Sequence, residues 1–190
     1  MERRAGLFLD RDGTLIEDCG HLRNQSQVKF IPGTVEALKR IENEYILFII
    51  TNQPGVADGA LTLYDVNAVN NYIIRHLADA GISIQDVYVC PHRRDSGCLC
   101  IKPKPYFLHQ AASKWDIDLR LSVVVGDHPT DMELARNVGG CGIYVLTGHG
   151  RKHLNELQPD QLFVPRLKEA VDLIFALACH ENKAQNFKEE

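Results

Sequence analysis

Two aspartates that follow a short apolar run have the type and spacing needed for phosphoryl chemistry. Asp10 and Asp12 come directly after the apolar residues 6–9, and Gly13 follows them. Side chains two residues apart in an extended chain point the same way, and glycine allows the turn that must follow. One carboxylate can attack phosphorus, while a second acid protonates the leaving oxygen and later deprotonates water. The segment therefore indicates phosphate-monoester hydrolysis, and a plain polar turn between strand and helix is the alternative.

Thr51, Asn52 and Lys102 also stand where apolar segments end. Thr51 and Asn52 offer a hydroxyl and a backbone amide to phosphoryl oxygens, although such a pair also forms ordinary turns. Pro103 and Pro105 follow Lys102. Because prolines keep a chain extended and rigid, they favour a fixed lysine side chain over a solvated one. Its charge can neutralise a phosphate and hold Asp10 ionised. Lys104 is the alternative in the same segment.

Asp127 and Asp131 are candidates for binding a divalent cation. Asp127 follows the apolar residues 123–125 after one glycine, and Asp131 comes one helical turn later. Mg²⁺ in proteins takes one or two carboxylates together with substrate oxygens and water. The spacing therefore predicts a magnesium site. For Asp131, a first-turn carboxylate favoured by the helix dipole is the alternative.

Three cysteines and one histidine within residues 90–100 indicate a zinc site. Residues i and i+2 of an extended strand face the same side. One metal ion can therefore be coordinated by the pair Cys90 and His92 and by the pair Cys98 and Cys100. Three thiolates and one imidazole form a closed tetrahedral site, which indicates a structural metal rather than a catalytic one. A loop this short and polar cannot bury a core, and a metal supplies the missing stability. A redox pair of Cys98 and Cys100 is the alternative.

In this order and spacing, the four segments that carry the acids, the threonine and the lysine resemble the haloacid dehalogenase-type phosphatases from Leu7 to Thr147. The resemblance implies that Asp10 is the nucleophile and Asp12 the general acid/base, and that Thr51 and Lys102 hold the phosphoryl group. The implied cofactor is Mg²⁺, bound by Asp10, the backbone carbonyl of Asp12 and Asp127, with Asp131 close by. The implied substrate-binding residues are Thr51, Asn52, Gln53, Pro54, Ile101 and Lys102.

The cysteine–histidine insert before Lys102 resembles two groups within these phosphatases. The gap from His92 to Cys98 is similar to that of the histidinol-phosphate phosphatases and of some short-loop heptose enzymes. Residues 51–57 and the following Leu61-Thr62 pair are more similar to the D-glycero-D-manno-heptose 1,7-bisphosphate phosphatases. The heptose bisphosphate is therefore the expected substrate, and histidinol phosphate is the alternative.

Three positions depart from the heptose enzymes. Ile101, Asp58 and His128 stand where those enzymes tend to carry an arginine, a basic residue and a lysine. An anion at the far end of the substrate must then be recognised by other basic residues. The candidates for that role are Arg93, Arg94 and Lys104.

Predicted strands and predicted helices alternate along the chain and must position these residues. Such alternation is typical of an α/β protein with one parallel sheet. The predicted strands are Gly6–Leu9, Tyr45–Ile50, Ile84–Val89, Leu121–Val125, Gly142–Leu146 and Gln161–Val164. The predicted helices are Thr34–Glu42, Leu63–Ala80, Lys104–Lys114, Thr130–Val138 and Leu167–Cys179. Ligands bind beyond the carboxyl ends of parallel strands, so the polar residues should meet at one sheet edge. We expect a Rossmann-like sheet with helices on both faces.

The predicted organisation is one phosphatase domain over residues 1–180 and a polar, fraying tail over residues 181–190. The gaps between the motifs hold a helix, a strand and loops, without room for a cap domain, so the site should be open. Loops 17–28 and 53–61 and the zinc loop 90–100 must then exclude water and select the substrate. His21 and Arg23 lie in the first loop, where substrate contact and plain solvation are both open.

The composition is that of a soluble globular protein, with 45% hydrophobic and 24% charged residues. The net charge of −4, without a long basic run, argues against a nucleic-acid or membrane-surface partner. No apolar run is long enough for a membrane span, and the one after residue 4 is too short for a signal peptide. We therefore expect a cytoplasmic enzyme that acts on a small phosphorylated metabolite. A phosphate-binding protein without turnover and a phosphotransferase are the alternatives.

Overall fold

A six-stranded sheet forms the centre of the computed structural model, which describes residues 4–186. Its strands are β1 (Gly6–Leu9), β2 (Ile46–Asn52), β3 (Ile84–Cys90), β4 (Val123–Gly126), β5 (Cys141–Val145) and β6 (Phe163–Val164). The helices are α1 (Thr34–Ile41), α2 (Leu63–Asp79), α3 (Tyr106–Trp115), α4 (Pro129–Arg136) and α5 (Leu167–Asn186). Two short 3₁₀ helices cover Gln25–Gln27 and Leu154–Glu156.

All neighbouring strands run parallel, in the order β3-β2-β1-β4-β5-β6. The chain builds the sheet outward from β1 to β3, then crosses back to β4 and builds the other half. Leu7 pairs with Leu47 on one side and with Val123 on the other, which places β1 between β2 and β4. The strand order reverses beside β1, and such a switch point is where ligands bind in open parallel sheets.

Side chains of the central strand alternate between two separate cores. Leu7 and Leu9 pack with residues of α1, α2 and α5 on one face of the sheet. Phe8 faces the opposite side, where it stacks on Phe48 with ring centroids 4.9 Å apart and packs with residues of α3 and α4. Because both faces are covered, the strands read as continuous apolar runs. The predicted Rossmann-like α/β fold, with helices on both faces, is confirmed.

The start of α2 shows how local sequence fixes an element that supports the site. The backbone N–H of Asp65 donates to Thr62 Oγ1 (3.1 Å), and the Thr62 N–H donates to Asp65 Oδ2 (2.8 Å). Together these two bonds form a capping box, and caps of this kind contribute about 1 kcal/mol. Gly81 follows the helix with φ of 76° and so ends it.

Several predicted helix boundaries are wrong; α4, for example, ends at Arg136 rather than Val138. Helix α5 continues to Asn186 instead of ending at Cys179, so the predicted tail is helical as far as that residue. The added segment is rich in good helix formers and contains neither glycine nor proline, which explains the extension. Residues 187–190 lie outside the described part of the chain. Helix α3 begins at Tyr106 rather than Lys104, because Pro105 takes the capping position.

No separate cap domain covers the sheet within residues 4–186. The segment between β1 and β2 holds a loop and α1, and the one between β2 and β3 holds α2, which belongs to the helical layers. The carboxyl edge of the sheet is therefore bordered by loops and by the first turn of α4. In the same described range, no helix is both long and apolar enough to cross a membrane.

Candidate active site

A cavity of about 470 Å³ lies at the carboxyl edge of the sheet, over β1, β2 and β4. Ten of the predicted site residues line it, among them Asp10, Asp12, Thr51, Lys102 and Asp127. Each of these five follows or ends a strand except Lys102, which lies in the loop between β3 and α3. The parallel topology thus brings these five side chains, which are up to 117 positions apart in sequence, to one place.

Asp10 and Lys102 form a buried ion pair at the floor of the cavity. Lys102 Nζ lies 2.5 Å from Asp10 Oδ1 and 2.6 Å from Asp131 Oδ1. Burial disfavours the charge of Lys102, but the two carboxylates raise the pKa of its ammonium above the usual value. Burial raises the pKa of Asp10 to about 7, against the opposing charge of Lys102. Asp10 lines the cavity, and its Oδ2 has no hydrogen-bond partner among the described residues.

Asp127 and Asp131 complete a group of three buried carboxylates. One oxygen each from Asp10, Asp127 and Asp131 lie within 4.8 Å of one another. Burial, with the charge of Asp10, raises the pKa of Asp127 to about 8. Asp127 Oδ2 accepts a hydrogen bond from the backbone N–H of His149 (2.7 Å). The two oxygens of Asp131 are both engaged, by Lys102 Nζ and by the backbone N–H of His128 (3.1 Å).

This group of carboxylates fits a hard divalent cation. The cluster contains three carboxylates and one lysine, so its net charge is −2 when all four groups are ionised. Buried charges without a counter-charge are costly, and a dication with oxygen ligands removes that cost. The raised pKa values of Asp10 and Asp127 are the expected sign of carboxylates that lack such a counter-charge.

The last residues of β2 and those directly after it line the cavity beside the acids; the strand runs to Asn52 rather than to Ile50 as predicted. Thr51 Oγ1 accepts a hydrogen bond from Gln53 Nε2 (2.9 Å), so its own proton is available to a ligand. Asn52 Oδ1 accepts the backbone N–H of Lys102 (3.2 Å) and so ties the lysine loop to the end of β2. Pro54 and Ile101 also line the cavity. Gln53 also lines the cavity. It is buried, and its Nε2 donates to Thr51 Oγ1 and to Asp12 Oδ2.

Two glycines allow the loops after β1 and β5 to meet above Asp127. Gly13 has φ of 84° and Gly148 has φ of 53°, both in the left-handed region. A Cβ at either position would overlap with the carboxylate of Asp127. The hydroxyl of Thr147 donates to the backbone carbonyl of Gly13 (2.5 Å) and holds the loops together. Only glycine permits both this backbone conformation and this approach.

The four predicted zinc ligands form a compact cluster beside the cavity. Cys90 Sγ lies 3.7 Å from Cys98 Sγ and from His92 Nδ1, and Cys100 Sγ lies 3.2 Å from Cys90 Sγ and 3.3 Å from His92 Nδ1. Ligands about 2.3 Å from a tetrahedral zinc lie roughly 3.8 Å apart, close to these separations. A disulfide needs sulfurs at about 2 Å, whereas Cys98 and Cys100 are 3.9 Å apart. The cluster is compatible with zinc.

The thiols of this cluster differ in their ease of ionisation. Burial raises the pKa of Cys90 to about 12, so this thiol ionises only beside a cation. Burial also opposes ionisation of Cys98, but hydrogen bonds with Ser96 and the backbone of Ile101 lower its pKa to about 6. A thiolate is therefore available at one corner of the cluster, as metal binding requires.

Comparison with known proteins connects this geometry to a family. A family model described as HAD-hydrolase-like matches residues 99–170. The D-glycero-alpha-D-manno-heptose-1,7-bisphosphate 7-phosphatase of Mycobacterium tuberculosis is 37% identical over 161 residues, which cover 78% of this chain and 84% of that protein. The D-glycero-beta-D-manno-heptose-1,7-bisphosphate 7-phosphatase of Bordetella bronchiseptica is 33% identical over 150 residues, with the same two coverages.

This chain belongs to the heptose-1,7-bisphosphate 7-phosphatase family. It is a phosphatase of the HAD-like hydrolases. The crystal structure of the B. bronchiseptica D,D-heptose 1,7-bisphosphate phosphatase, complexed with magnesium and phosphate, superposes with a TM-score of 0.82 at 30% identity and covers 90% of this chain and 98% of that one. The phosphatase from Burkholderia thailandensis shares the fold, with a TM-score of 0.67 at 24% identity and coverages of 88% and 96%.

The rim of the cavity in this heptose-bisphosphatase family member distinguishes between loop residues whose roles the sequence left open. His21 lines the cavity, close to Gly55, whereas Arg23 does not line it. His128 also lines it and caps α4 through Nδ1, which accepts from the Thr130 N–H (3.3 Å). Of the loop residues considered, His21 and His128 are thus placed to meet a substrate.

Four residues that contribute to the site were not found from the sequence. Arg11 and Asn70 contact each other behind Asp12, and Gly148 and His149 contact Asp127 from the loop after β5. The strand-end rule that found Asp127 also applies to β5, so the Gly148-His149 pair carried a usable signal. Asn70 carried none, because a polar residue on a helix gives no indication of what it faces. Arg11, in the turn after β1, carried none because its partner Asn70 is 59 positions away in sequence.

Proposed function

We propose that the protein hydrolyses the 7-phosphate of D-glycero-D-manno-heptose 1,7-bisphosphate through a phosphoryl group held transiently on Asp10. The observation that carries this proposal is the meeting of Asp10, Asp12, Lys102 and Asp127 around one end of the cavity. The relatives from Bordetella and Mycobacterium are named for this reaction on the β and α sugar respectively. Both anomers are therefore candidate substrates.

Mg²⁺ would be held by Asp10, Asp127 and the backbone carbonyl of Asp12. The spacing of the carboxylate oxygens and their unbalanced charge support this assignment. Asp131 has both oxygens engaged by Lys102 and His128, so its role is to fix the lysine and the loop rather than to bind the cation directly. When bound, the cation offsets the repulsion between an anionic phosphate and an anionic nucleophile.

The phosphoryl group would be held by Lys102, Thr51 and the backbone amide of Asn52. The ammonium of Lys102 is fixed by two carboxylates, so it meets the phosphate without reorganising. The Thr51 hydroxyl is oriented by Gln53, which leaves its proton for a phosphoryl oxygen. Phosphoryl transfer depends mainly on such positioning and charge stabilisation.

The chemistry would proceed in two displacements at phosphorus. Asp10 Oδ2 forms a bond to phosphorus as the bond to the sugar oxygen breaks, and Asp12 gives its proton to that oxygen. A water molecule then attacks phosphorus, Asp12 takes the proton of the water, and the bond to Asp10 breaks. Phosphate leaves, and both aspartates return to their starting state.

Arg94 is the best placed residue for the second phosphate of a bisphosphate. Of the three basic candidates in and after the zinc loop, Arg93 pairs with Asp58, and Lys104 Nζ donates to the backbone carbonyls of Gly97 and Cys98. Arg94 lines the cavity, and its side chain has no ion pair or hydrogen bond with any of the residues whose side chains the structure describes, 4–178. Its guanidinium is thus free to bind an anion.

The zinc loop would place Arg94 at the rim of the cavity. We propose zinc as the metal of the Cys90, His92, Cys98 and Cys100 cluster, supported by its ligand separations and by its closed set of three sulfurs and one nitrogen. The Arg93–Asp58 pair links the same loop to the loop after β2. Metal and ion pair together hold a segment that has no core of its own.

Phosphate release with Mg²⁺ from both anomers of the heptose bisphosphate, and from histidinol phosphate, tests the proposal. We expect the heptose bisphosphate to be preferred. Asp10→Asn should fold normally and lower kcat by about 10³-fold or more, because the nucleophile is lost. Selective release from histidinol phosphate would contradict the proposed substrate. Full activity of Asp10→Asn, or no release from any compound by the folded wild type, would contradict the mechanism.

A further inference from the structure

A second cavity, of about 480 Å³, lies against the loop that follows β5. Residues 146–148 of this loop line the second cavity, whereas the next residue, His149, lines the active-site cavity. Asp18 lines both cavities, but neither Lys102 nor the carboxylates that would bind Mg²⁺ line the second one. The loop therefore separates the two cavities, and the steps of phosphate hydrolysis do not involve the second cavity.

Two arginines from distant segments line the second cavity. Arg151 lies in the turn that follows β5, and Arg166 directly precedes α5. The side chain of Arg151 has no ion pair or hydrogen bond with any residue between 4 and 178, the range whose side chains the structure describes. Arg166 has one distant partner, with its Nε 3.7 Å from Glu169 Oε2. A guanidinium without close partners offers its N–H donors to a ligand, and their fork fits phosphate oxygens.

The two acids that also line the second cavity have partners of their own. Glu17 Oε2 lies 3.7 Å from Lys29 Nζ, and Asp18 Oδ2 lies 3.4 Å from His149 Nε2. Asp18 Oδ1 also accepts a hydrogen bond from a backbone N–H, that of residue 20 (2.9 Å). Among these described side chains, neither acid forms an ion pair with either arginine. The positive charges that face the second cavity are therefore left for a ligand.

The floor of the second cavity is apolar. Its apolar residues are Ile31, Pro32, Leu146 and Pro165. The side chain of Lys168 lies over Gly33, at the edge of this floor, and adds a third positive charge. Small-molecule sites are typically concave, mostly apolar and fitted with a few polar groups. An apolar floor beside cationic groups suits a molecule with an anionic group at one end and an apolar ring at the other.

We propose that the second cavity binds a small phosphorylated molecule other than the substrate. Its phosphate would lie between Arg151 and Arg166, and its ring would lie on the apolar floor. Two guanidinium groups from separate segments match the several oxygens and the double charge of a phosphate monoester, and such charge-assisted pairs are the strong ones. The proposal does not depend on which sugar phosphate the active site hydrolyses.

NMR titration of the isotope-labelled full chain in EDTA tests the proposal, because each backbone amide reports on its own cavity. Inorganic phosphate is the first probe. We expect the amides of residues 146–151 and 166–168 to shift with a dissociation constant different from that shown by Thr51 and Asn52 in the active site. AMP, which carries a ring behind its phosphate, is the second probe. It should bind the second cavity about fivefold more tightly than inorganic phosphate, since the ring buries apolar surface.

Arg151→Gln and Arg166→Gln remove the two charges at exposed positions, so we expect both variants to fold. Each should weaken phosphate binding in the second cavity by about tenfold or more, because charge-assisted hydrogen bonds are lost. Binding reported by Thr51 and Asn52 should stay within about twofold, since the two sites are separate. Arg120→Gln is the matched control, because Arg120 is also exposed but lines a different cavity. It should leave both dissociation constants unchanged.

Two results would overturn the proposal. In the first, the amides of residues 146–151 shift with the dissociation constant of the active site, and neither Arg151→Gln nor Arg166→Gln alters that constant. Their shifts would then be transmitted from the active site through Asp127, which His149 contacts. In the second, AMP binds the second cavity no more tightly than inorganic phosphate does, so that the arginines hold an adventitious ion only. Both results leave the proposed phosphatase mechanism untouched.

Discussion

At the scale of single residues, the site is a balance of buried charges. Asp10, Asp127 and Asp131 face Lys102, and the lysine binds two of the three carboxylates directly. The sequence predicts all four, because each carries a charge at or near the end of an apolar run. It could not predict that both oxygens of Asp131 accept hydrogen bonds, from Lys102 and from the backbone of His128. The first of these bonds depends on the tertiary position of the loop that carries Lys102.

Arg94→Gln is expected to affect the bisphosphate more than a monophosphate. The guanidinium at the rim would bind the phosphate that is not cleaved, and one charge-assisted hydrogen bond contributes about 1.5–3 kcal/mol. KM for the heptose bisphosphate should therefore rise about tenfold or more. KM for p-nitrophenyl phosphate, which lacks a second phosphate, should stay within about twofold.

Arg93→Gln is the matched control for Arg94→Gln, because the neighbouring arginine is engaged by Asp58. It should raise KM less than Arg94→Gln does. If Arg94→Gln raises KM equally for the heptose bisphosphate and for p-nitrophenyl phosphate, Arg94 does not bind the second phosphate.

At the scale of elements, the predictable part of the site is the part that lies at strand ends. The strands that precede Asp10, Thr51 and Asp127 are apolar runs that the sequence shows directly, and their parallel order brings these residues together. The contact of the β5 loop with Asp127 was missed, because it depends on two glycines from separate segments meeting each other. Contact between loops is decided by tertiary packing, which local sequence does not encode.

Loss of the zinc proposed for the Cys90, His92, Cys98 and Cys100 cluster is expected to loosen the segment between β3 and α3. Cys98→Ser should lower the zinc content from one ion per chain towards none, because three ligands hold zinc far less firmly than four. KM for the bisphosphate should rise, since Arg94 lies in this loop. kcat should fall as well, since Lys102 follows Cys100 by only two residues.

Metal analysis by mass spectrometry, together with the kinetics, checks the expectation for Cys98→Ser. Cys19→Ser is the control, because Cys19 is exposed and lies outside the cluster. Its zinc content and kinetics should match those of the wild type. Unchanged zinc in Cys98→Ser would contradict the assignment of the four ligands.

At the scale of the whole molecule, the fold was largely predictable, because both faces of the sheet are covered and its strands read as apolar runs. The network behind Asp12 was not, since Arg11 and Asn70 are 59 positions apart and meet only when α2 packs on the sheet. The same packing that stabilises the fold thus buries groups that the chemistry needs. Functional sites often reduce stability in this way, and here the cost comes from the carboxylates.

The stability of the whole molecule should therefore depend on pH and on Mg²⁺ through these acids. Burial raises the pKa of Asp10 to about 7 and of Asp127 to about 8, from an ordinary 3.8. Between the ordinary and the raised values, the folded chain binds more protons than the unfolded chain, so its stability falls as pH rises. In EDTA, the melting temperature should decline from pH 5 to pH 8. Mg²⁺ should reverse that decline, because it binds the folded chain and offsets the charge.

Asp127→Asn isolates this effect from the other titrating groups of the chain. The amide keeps the shape of the side chain and removes one of the repelling charges. In EDTA at pH 8 the variant should therefore melt at a higher temperature than the wild type, although it should be nearly inactive. Its melting temperature should also change less between pH 5 and pH 8, and respond less to Mg²⁺. A variant that shows the same pH slope and the same response to Mg²⁺ as the wild type would place the cation elsewhere.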